Sequence, residues 1–332
     1  MKSDIKFMQR CIQLARCGEA GAPPNPMVGA VVVEGGRIIG EGFHRRCGGP
    51  HAEVNAIASV KAGHLLSRST LYVNLEPCSH YGKTPPCTDL IIRSGIPRIV
   101  IGCTDPFASV NGTGIRKLKE AGCEVTTGIL EEECRELNRR FFTFHQKHRP
   151  WILLKWAQSK DGYIDRRRNN GTGEKAPCHF STPLTQTLVH RLRARSQAIM
   201  VGTNTAIMDN PSLTTRLWPG ASPLRLTVDR KGILPDTLRL MHGSTPAVIY
   251  TSQCLQDILD DLYHRGIQSL LVEGGAKLLQ SFINAGLWDE ARIETAPFLL
   301  GKGTEAPLLT DAEPLCQKDY DGQAIQTYRR KN

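Results

Sequence analysis

Hydrophobic and polar positions along this chain change period repeatedly, and each change marks an element. Residues 4–16 place apolar side chains every three or four positions, the spacing of an amphipathic helix. "VGAVVVEGGRIIGEGF" (28–43) reads as two strands around a Gly-Gly turn. "AEVNAIASV" is helical, "STLYVNLEP" is a strand, and "CTDLIIRSG" is a helix closed by Gly95. "PRIVIGC" and "CEVTTGI" are strands, separated by the helix "GIRKLKEAG" that Gly122 closes. "EEECRELNRRFFTFH" reads as one long helix. Strands alternating with helices predict an α/β layered domain with a mostly parallel sheet.

After "HQKHRPW" the pattern restarts. "WILLKWAQS" (151–159) is a strand, and "DGYIDRRRNNGTGEKAP" is a polar, glycine-containing loop. "TPLTQTLVHRLRAR" is a helix with Pro183 in its first turn. "QAIMVGT", "LRLTVDR", "PAVIYTS", "QSLLVEGG" and "ARIETAPFL" are strands. The boundary falls near 145–150, giving domains 1–147 and 148–332, which suits a chain of 332 residues.

Composition narrows the class. No apolar run approaches a membrane span, and the N-terminal stretch has no uninterrupted apolar core, so neither an anchor nor a signal peptide is read. The 11 cysteines, an odd number spread over both halves, argue for a reducing, cytoplasmic setting. They also free some thiols for metal binding. The net charge of +10 points to phosphorylated small molecules or to nucleic acid. The basic residues are dispersed and aromatics are only 6%, so no base-stacking platform is seen and no nucleic-acid partner is expected.

"PHAEVNAI" (50–57) opens a helix with His51 and Glu53 two apart. Alone this is a solvated helix start. "NLEPCSHYGKTPPC" adds Cys78 at a strand end and Cys87 at a helix start. One His and two thiolates are the three protein ligands of a catalytic zinc that keeps a fourth position for water. One Zn2+ per chain is therefore expected on His51, Cys78 and Cys87. Glu53 is too near His51 in sequence for a comfortable fourth ligand but is well placed to carry that water's proton. Zinc deaminases carry H-x-E…P-C-x-x-C; here the second Cys follows nine residues after the first.

His-Ala-Glu with "EPCSHYGKTPPC" and "PPNPMVGAVVV" resembles the deaminase half of the bifunctional riboflavin-biosynthesis enzymes. These deaminate diaminohydroxyphosphoribosylaminopyrimidine and then reduce its ribosyl chain to ribityl. The resemblance implies a cytidine-deaminase-like three-layer domain in which Asn25 and His44 contact the substrate and Lys83 faces it. Asp105 matches the family's acidic residue, whereas Phe107 stands where an Asn often follows and is left out of the site.

"KWAQSKDGYI", "HRLRARSQAIMVGTNTAIMDNPSLTTR" and "LLVEGGAKLLQSF" extend the resemblance over nearly the whole chain. They imply a dihydrofolate-reductase-like second domain that binds NADPH. By position, Ala157, Thr205, Asp209 and the run Gly275, Ala276, Lys277, Leu278, Leu279, Gln280 and Ser281 contact the cofactor. Arg193, Leu213, Arg216 and Glu273 contact a small phosphorylated pyrimidine; both arginines suit a phosphate. The sequence departs from the family at His179, where a Trp is frequent, at Arg230, where a Ser is common, and in a longer, more basic 163–178 loop. The oligomeric state, including a homo-oligomer, stays open. Two other readings stand beside this one: a nucleic-acid base deaminase with an appended basic domain, and a non-catalytic zinc protein, which would want a fourth ligand.

Overall fold

The computed structural model describes residues 2–81, 85–107, 111–166, 177–243 and 246–331, in two compact units, Met1–His148 and Arg149–Asn332. Lys83 and most of the basic 163–178 loop lie outside the described residues.

The first unit runs α1 (Lys2–Arg16), β1 (Gly29–Glu34), β2 (Arg37–Phe43), α2 (Ala52–Ala58), β3 (Thr70–Leu75), α3 (Cys87–Arg93), β4 (Arg98–Cys103), α4 (Thr113–Glu120), β5 (Glu124–Thr127), α5 (Glu131–Leu137) and α6 (Arg139–Lys147). Its sheet has the order β2-β1-β3-β4-β5. Strands β3, β4 and β5 are parallel, while β1 pairs antiparallel with both β2 and β3. Strand alternation divides the core. Val31 and Val33 face a layer with Phe7, Met8 and Phe142, whereas Ala30 and Val32 face one with Ala56, Ile91 and Leu118. Helices therefore cover both faces, a three-layer α/β/α arrangement.

One expectation changes. The helix read over 131–145 is two helices, broken at Asn138. The Asn138 side chain accepts the Met27 N–H at 2.8 Å and donates to the Met27 carbonyl at 2.9 Å. This pairing is with a residue 111 positions away, so helical periodicity alone carries no trace of it.

The second unit runs β6 (Trp151–Gln158), β7 (Tyr163–Asp165), α7 (Pro183–Ala194), β8 (Ala198–Val201), α8 (Thr203–Asp209), β9 (Leu224–Val228), β10 (Val248–Tyr250), α9 (Leu255–His264), β11 (Ser269–Glu273), α10 (Ala276–Asn284), β12 (Glu290–Thr295), β13 (Thr304–Glu305), β14 (Ala312–Tyr320) and β15 (Gln323–Arg330). Eight strands form a sheet of order β10-β9-β8-β11-β6-β12-β15-β14; β7 and β13 pair separately. The pairings from β10 through β12 are parallel, and β15 and β14 close the edge antiparallel. One face packs Ile258, Leu262, Leu279 and Phe282, the other Trp151, Ile199, Val201 and Leu213. Among the described residues no helix is long and apolar enough to cross a membrane.

Candidate functional site

Three side chains converge in the first unit because three element ends meet there. His51 is the N-cap of α2, Cys78 follows the end of β3, and Cys87 is the first residue of α3. His51 Nδ1 lies 3.5 Å from Cys78 Sγ and 3.3 Å from Cys87 Sγ, and all three donor atoms fall within 4.8 Å of one another. Tetrahedral zinc with usual Zn–N and Zn–S bonds sets N···S separations of roughly 3.6 Å. The donor set and its spacing therefore fit one zinc ion.

The Cys78 thiol is held down at about 4 by hydrogen bonds from the Cys87 thiol, the His51 ring and the Cys87 backbone N–H, against the cost of burial. Cys87, 1% exposed, is pushed up by its hydrogen bond to Cys78 and by burial. A metal requires of these ligands a neutral His and two thiolates, so its binding displaces the proton that Cys87 holds. Glu53, in the first turn of α2, is 3% exposed, and burial together with the Cys78 charge pushes it up to about 7. Its carboxyl reaches the Cys87 thiol.

His44 and Asn25 stand beside this cluster. The His44 ring meets the His51 ring edge-on, with centroids 5.3 Å apart. His44 Nδ1 lies 3.0 Å from the Pro50 carbonyl and Nε2 lies 3.0 Å from Asn25 Nδ2. A carbonyl only accepts, so Nδ1 carries the proton and Nε2 accepts from Asn25. Burial holds this imidazole below its usual range, in keeping with the neutral form. Asp105 is 8% exposed, accepts the Phe107 N–H at 2.8 Å, and is pushed up to about 7 by burial. Phe107 packs between the His80 and His145 rings.

The spacing of motifs did not reveal Glu76. Its buried carboxylate accepts four backbone N–H groups, from Asp105 and Gly112 on Oε2 and from Gly114 and Ile115 on Oε1. Ser79 pairs its hydroxyl with Thr113 at 2.6 Å. Residues on both sides of Cys78 are thus tied to the start of α4. The one sequence signal was the Glu of "EPC", an acid ending an apolar strand.

In the second unit a cleft of about 1240 Å³ opens at the carboxyl ends of β6, β8, β9 and β11, where parallel sheets place their ligands. Ala157, Thr205, Asp209, Gly275, Ala276, Lys277, Leu278 and Ser281 line it, as do Arg193, Leu213 and Glu273. Gly274 and Gly275 both have positive φ, 90° and 76°, which opens the backbone at the start of α10 to a close ligand. An ordered glycine turn and a helix N-terminus suit the phosphates of a dinucleotide, so the residues present fit NADPH.

Three expected residues sit elsewhere. Leu279 is fully buried in the core, and Gln280 bonds to Asn284 and to the backbone of Leu308. Consecutive helical residues point about 100° apart, so a run of seven cannot face one cleft. Arg216 is exposed outside the cleft lining, its guanidinium on the Ser212 and Thr214 hydroxyls.

Arg193 and Glu273 form a largely buried two-pronged pair at 3.0 and 2.6 Å. Burial resists the charge on Glu273, but the Arg193 charge, its hydrogen bonds and Lys155 outweigh it and hold the carboxyl below its usual range. Lys155, on central strand β6, lines the cleft, and burial lowers its pKa. A lone cation inside "WILLKWAQ" was its legible but unread signal. Arg230 also lines the cleft, at the end of β9.

Comparison with known proteins agrees with both units. Residues 1–103 match the model of the cytidine and deoxycytidylate deaminase zinc-binding region, and residues 150–328 match that of the RibD C-terminal domain. The riboflavin biosynthesis protein RibD of Aquifex aeolicus is 38% identical over 323 residues, covering 90% of this chain and 88% of that one. Its counterpart from Bacillus amyloliquefaciens is 40% identical over 335 residues, covering 92% and 88%. A solved structure of Acinetobacter baumannii RibD superposes with a TM-score of 0.89 at 31% identity, over 100% of this chain and 99% of that one. The Thermotoga maritima diaminohydroxyphosphoribosylaminopyrimidine deaminase/5-amino-6-(5-phosphoribosylamino)uracil reductase superposes with a TM-score of 0.87 at 37% identity, over 99% of each chain. The chain belongs to the RibD family of riboflavin biosynthesis proteins.

Proposed function

We propose that this chain catalyses two successive steps of riboflavin biosynthesis. The first is hydrolytic deamination of 2,5-diamino-6-(5-phosphoribosylamino)pyrimidin-4-one; the second is NADPH-dependent reduction of the ribosyl to the ribityl side chain. The observation that carries the reading is the convergence of His51, Cys78 and Cys87 with the buried Glu53 beside them.

A zinc ion held by His51, Cys78 and Cys87 supplies Lewis acidity toward water. Glu53 takes a proton from the attacking water and delivers one to the departing amine, so that water enters and ammonia leaves. Its buried position in the first turn of α2, two residues from His51 and with its carboxyl at the Cys87 thiol, places it to make both halves of that transfer. Asn25, held by neutral His44, offers its amide to the pyrimidine edge. Lys83 would face the substrate from the gap between the two cysteines.

NADPH supplies the hydride of the second step, and solvent supplies the accompanying proton overall. Gly275 to Leu278, Ser281, Thr205, Asp209 and Ala157 hold the cofactor in the cleft. Leu213 and Glu273 line the substrate end, with Glu273 fixed by Arg193. Arg216 holds the ribose phosphate. All three of the donor nitrogens of Arg193 are engaged, with Glu273 and the Thr214 carbonyl, whereas the Arg216 guanidinium is exposed beside two hydroxyls. The substrate is thus a phosphorylated pyrimidine rather than a nucleic acid.

The test is a coupled assay on the purified chain. Ammonia release from the diaminopyrimidine should precede NADPH oxidation at 340 nm. Ammonia release with no NADPH consumption would reduce the reading to a deaminase.

A further inference from the structure

The segment Ser212–Arg216 is strapped to one face of α7. The Arg216 backbone N–H donates to His190 Nδ1 over 2.9 Å. One turn further along α7, Arg193 Nη1 donates to the Thr214 carbonyl over 3.2 Å. Immediately before these two straps Leu213 has φ of 55° and is only 1% exposed. A leucine holds that left-handed conformation only where surrounding contacts impose it. Arg193 in turn grips Glu273 at the end of β11. The loop carrying Arg216 is therefore set relative to the strand that enters the cofactor turn.

His190 is 6% exposed. A backbone N–H aimed at Nδ1 requires a lone pair there, so the ring proton sits on Nε2 and the imidazole is neutral. Burial, with Arg193 and Arg216 nearby, lowers the pKa of this ring against the pull of Glu273, which agrees with the neutral form. The ring neither lines the cleft nor carries charge. Its one directed contact to the loop is acceptance of the Arg216 N–H.

We propose that His190 is a positioning residue for the reductase step: by accepting the Arg216 N–H, it fixes the backbone from which Arg216 reaches the substrate phosphate. The proposal rests on the reading of Arg216 as the phosphate contact. Substrate recognition then depends on an uncharged acceptor at Nδ1 and not on the imidazole as such.

The test compares His190→Gln, His190→Asn and Arg216→Ala with the wild-type chain. Reductase kinetics are measured with the deaminated substrate and with its dephosphorylated analogue. NADPH affinity by fluorescence titration reports whether the reductase unit is folded, and deaminase activity serves as an internal control. Gln places its amide near Nε2, so His190→Gln should raise KM for the phosphorylated substrate roughly 3- to 10-fold. Its kcat, the analogue's KM and NADPH affinity should hold. Asn places a carbonyl oxygen near Nδ1, so His190→Asn should stay within about twofold of wild type, as a retained acceptor requires. A merely structural role would lower the folded fraction, reducing both rates alike and leaving KM unmoved. The proposal is overturned by a wild-type KM in His190→Gln, by failure of His190→Asn to rescue, or by equal losses on both substrates. Loss of phosphate preference in Arg216→Ala alone removes only the role of His190. If Arg216→Ala keeps that preference, the reading of Arg216 fails, and the proposal falls with it.

Discussion

Gly114 donates its backbone N–H to Glu76 Oε1 over 2.9 Å, and its Cα packs directly against the residue that follows Glu76. A Cβ there would stand 2.2 Å from the Pro77 carbonyl oxygen, a contact that real structures do not hold. Pro77 precedes Cys78, so the clash would be transmitted to the thiolate through one peptide unit. Gly114→Ala should loosen zinc and lower deaminase activity by about tenfold or more, the scale on which ligand-supporting contacts act. Reduction of supplied deaminated substrate should not change. Zinc transfer to a chromophoric chelator checks the first part. Unaltered transfer would show that the start of α4 does not hold Cys78 in place.

Cys87 is nearly inaccessible, and its backbone N–H also supports Cys78. Cys87→Ser should leave the chain without its zinc, about one ion per chain by the three-ligand site, and without deaminase activity. Stripping the wild-type chain with a chelator should give the same phenotype, reversed by added zinc. NADPH oxidation with deaminated substrate should persist in both preparations. Metal analysis showing full zinc in Cys87→Ser would reassign the third ligand.

Arg193 and Glu273 make a largely buried pair whose side chains are 13% and 10% exposed. Removing one partner from such a pair costs about 3–5 kcal/mol, because a charge is left buried alone. Arg193→Ala should lower the thermal transition of the second unit and leave that of the first in place. The pH dependence has a defined sign. The folded pKa of Glu273 lies below its ordinary 4.5, so the pair stabilises fully above pH 4.5 and fades as pH falls through the folded value. In Arg193→Ala burial is left to raise the Glu273 carboxyl, so the stability gap to wild type should narrow on acidification from above pH 4.5 and go on narrowing below it. A gap that widens would mean Glu273 is not the partner that matters.

The convergence of His51, Cys78 and Cys87, the candidate zinc ligands, was legible because metal chemistry fixes both residue type and local setting. H-A-E, E-P-C and a later Cys can be read one at a time, and even the nine-residue gap still brings Cys87 to a helix start. The strands of both parallel cores were legible from their apolar runs. The β14–β15 hairpin was not: seven of the nine β14 residues are exposed, so no buried face imposes an alternation on the sequence. Glu76 and His190 escaped for another reason. Each acts on backbone N–H groups, and those donors carry no residue signature. Likewise, the break at Asn138 depends on Met27, far off in sequence. What the chain hides is mainly which polar side chain meets which distant main chain.

The measurement nearest the central claim is a pair of rates on Glu53→Gln with its zinc content. Gln keeps the size of the buried carboxyl but carries no transferable proton, so deamination should fall roughly 10²–10⁴-fold. Zinc should remain at the wild-type level, and NADPH-dependent reduction of supplied deaminated substrate should be unchanged. That result would establish a proton-carrying role for Glu53 within one of two separate sites. Retained deamination, or an equal fall in both activities, would contradict it.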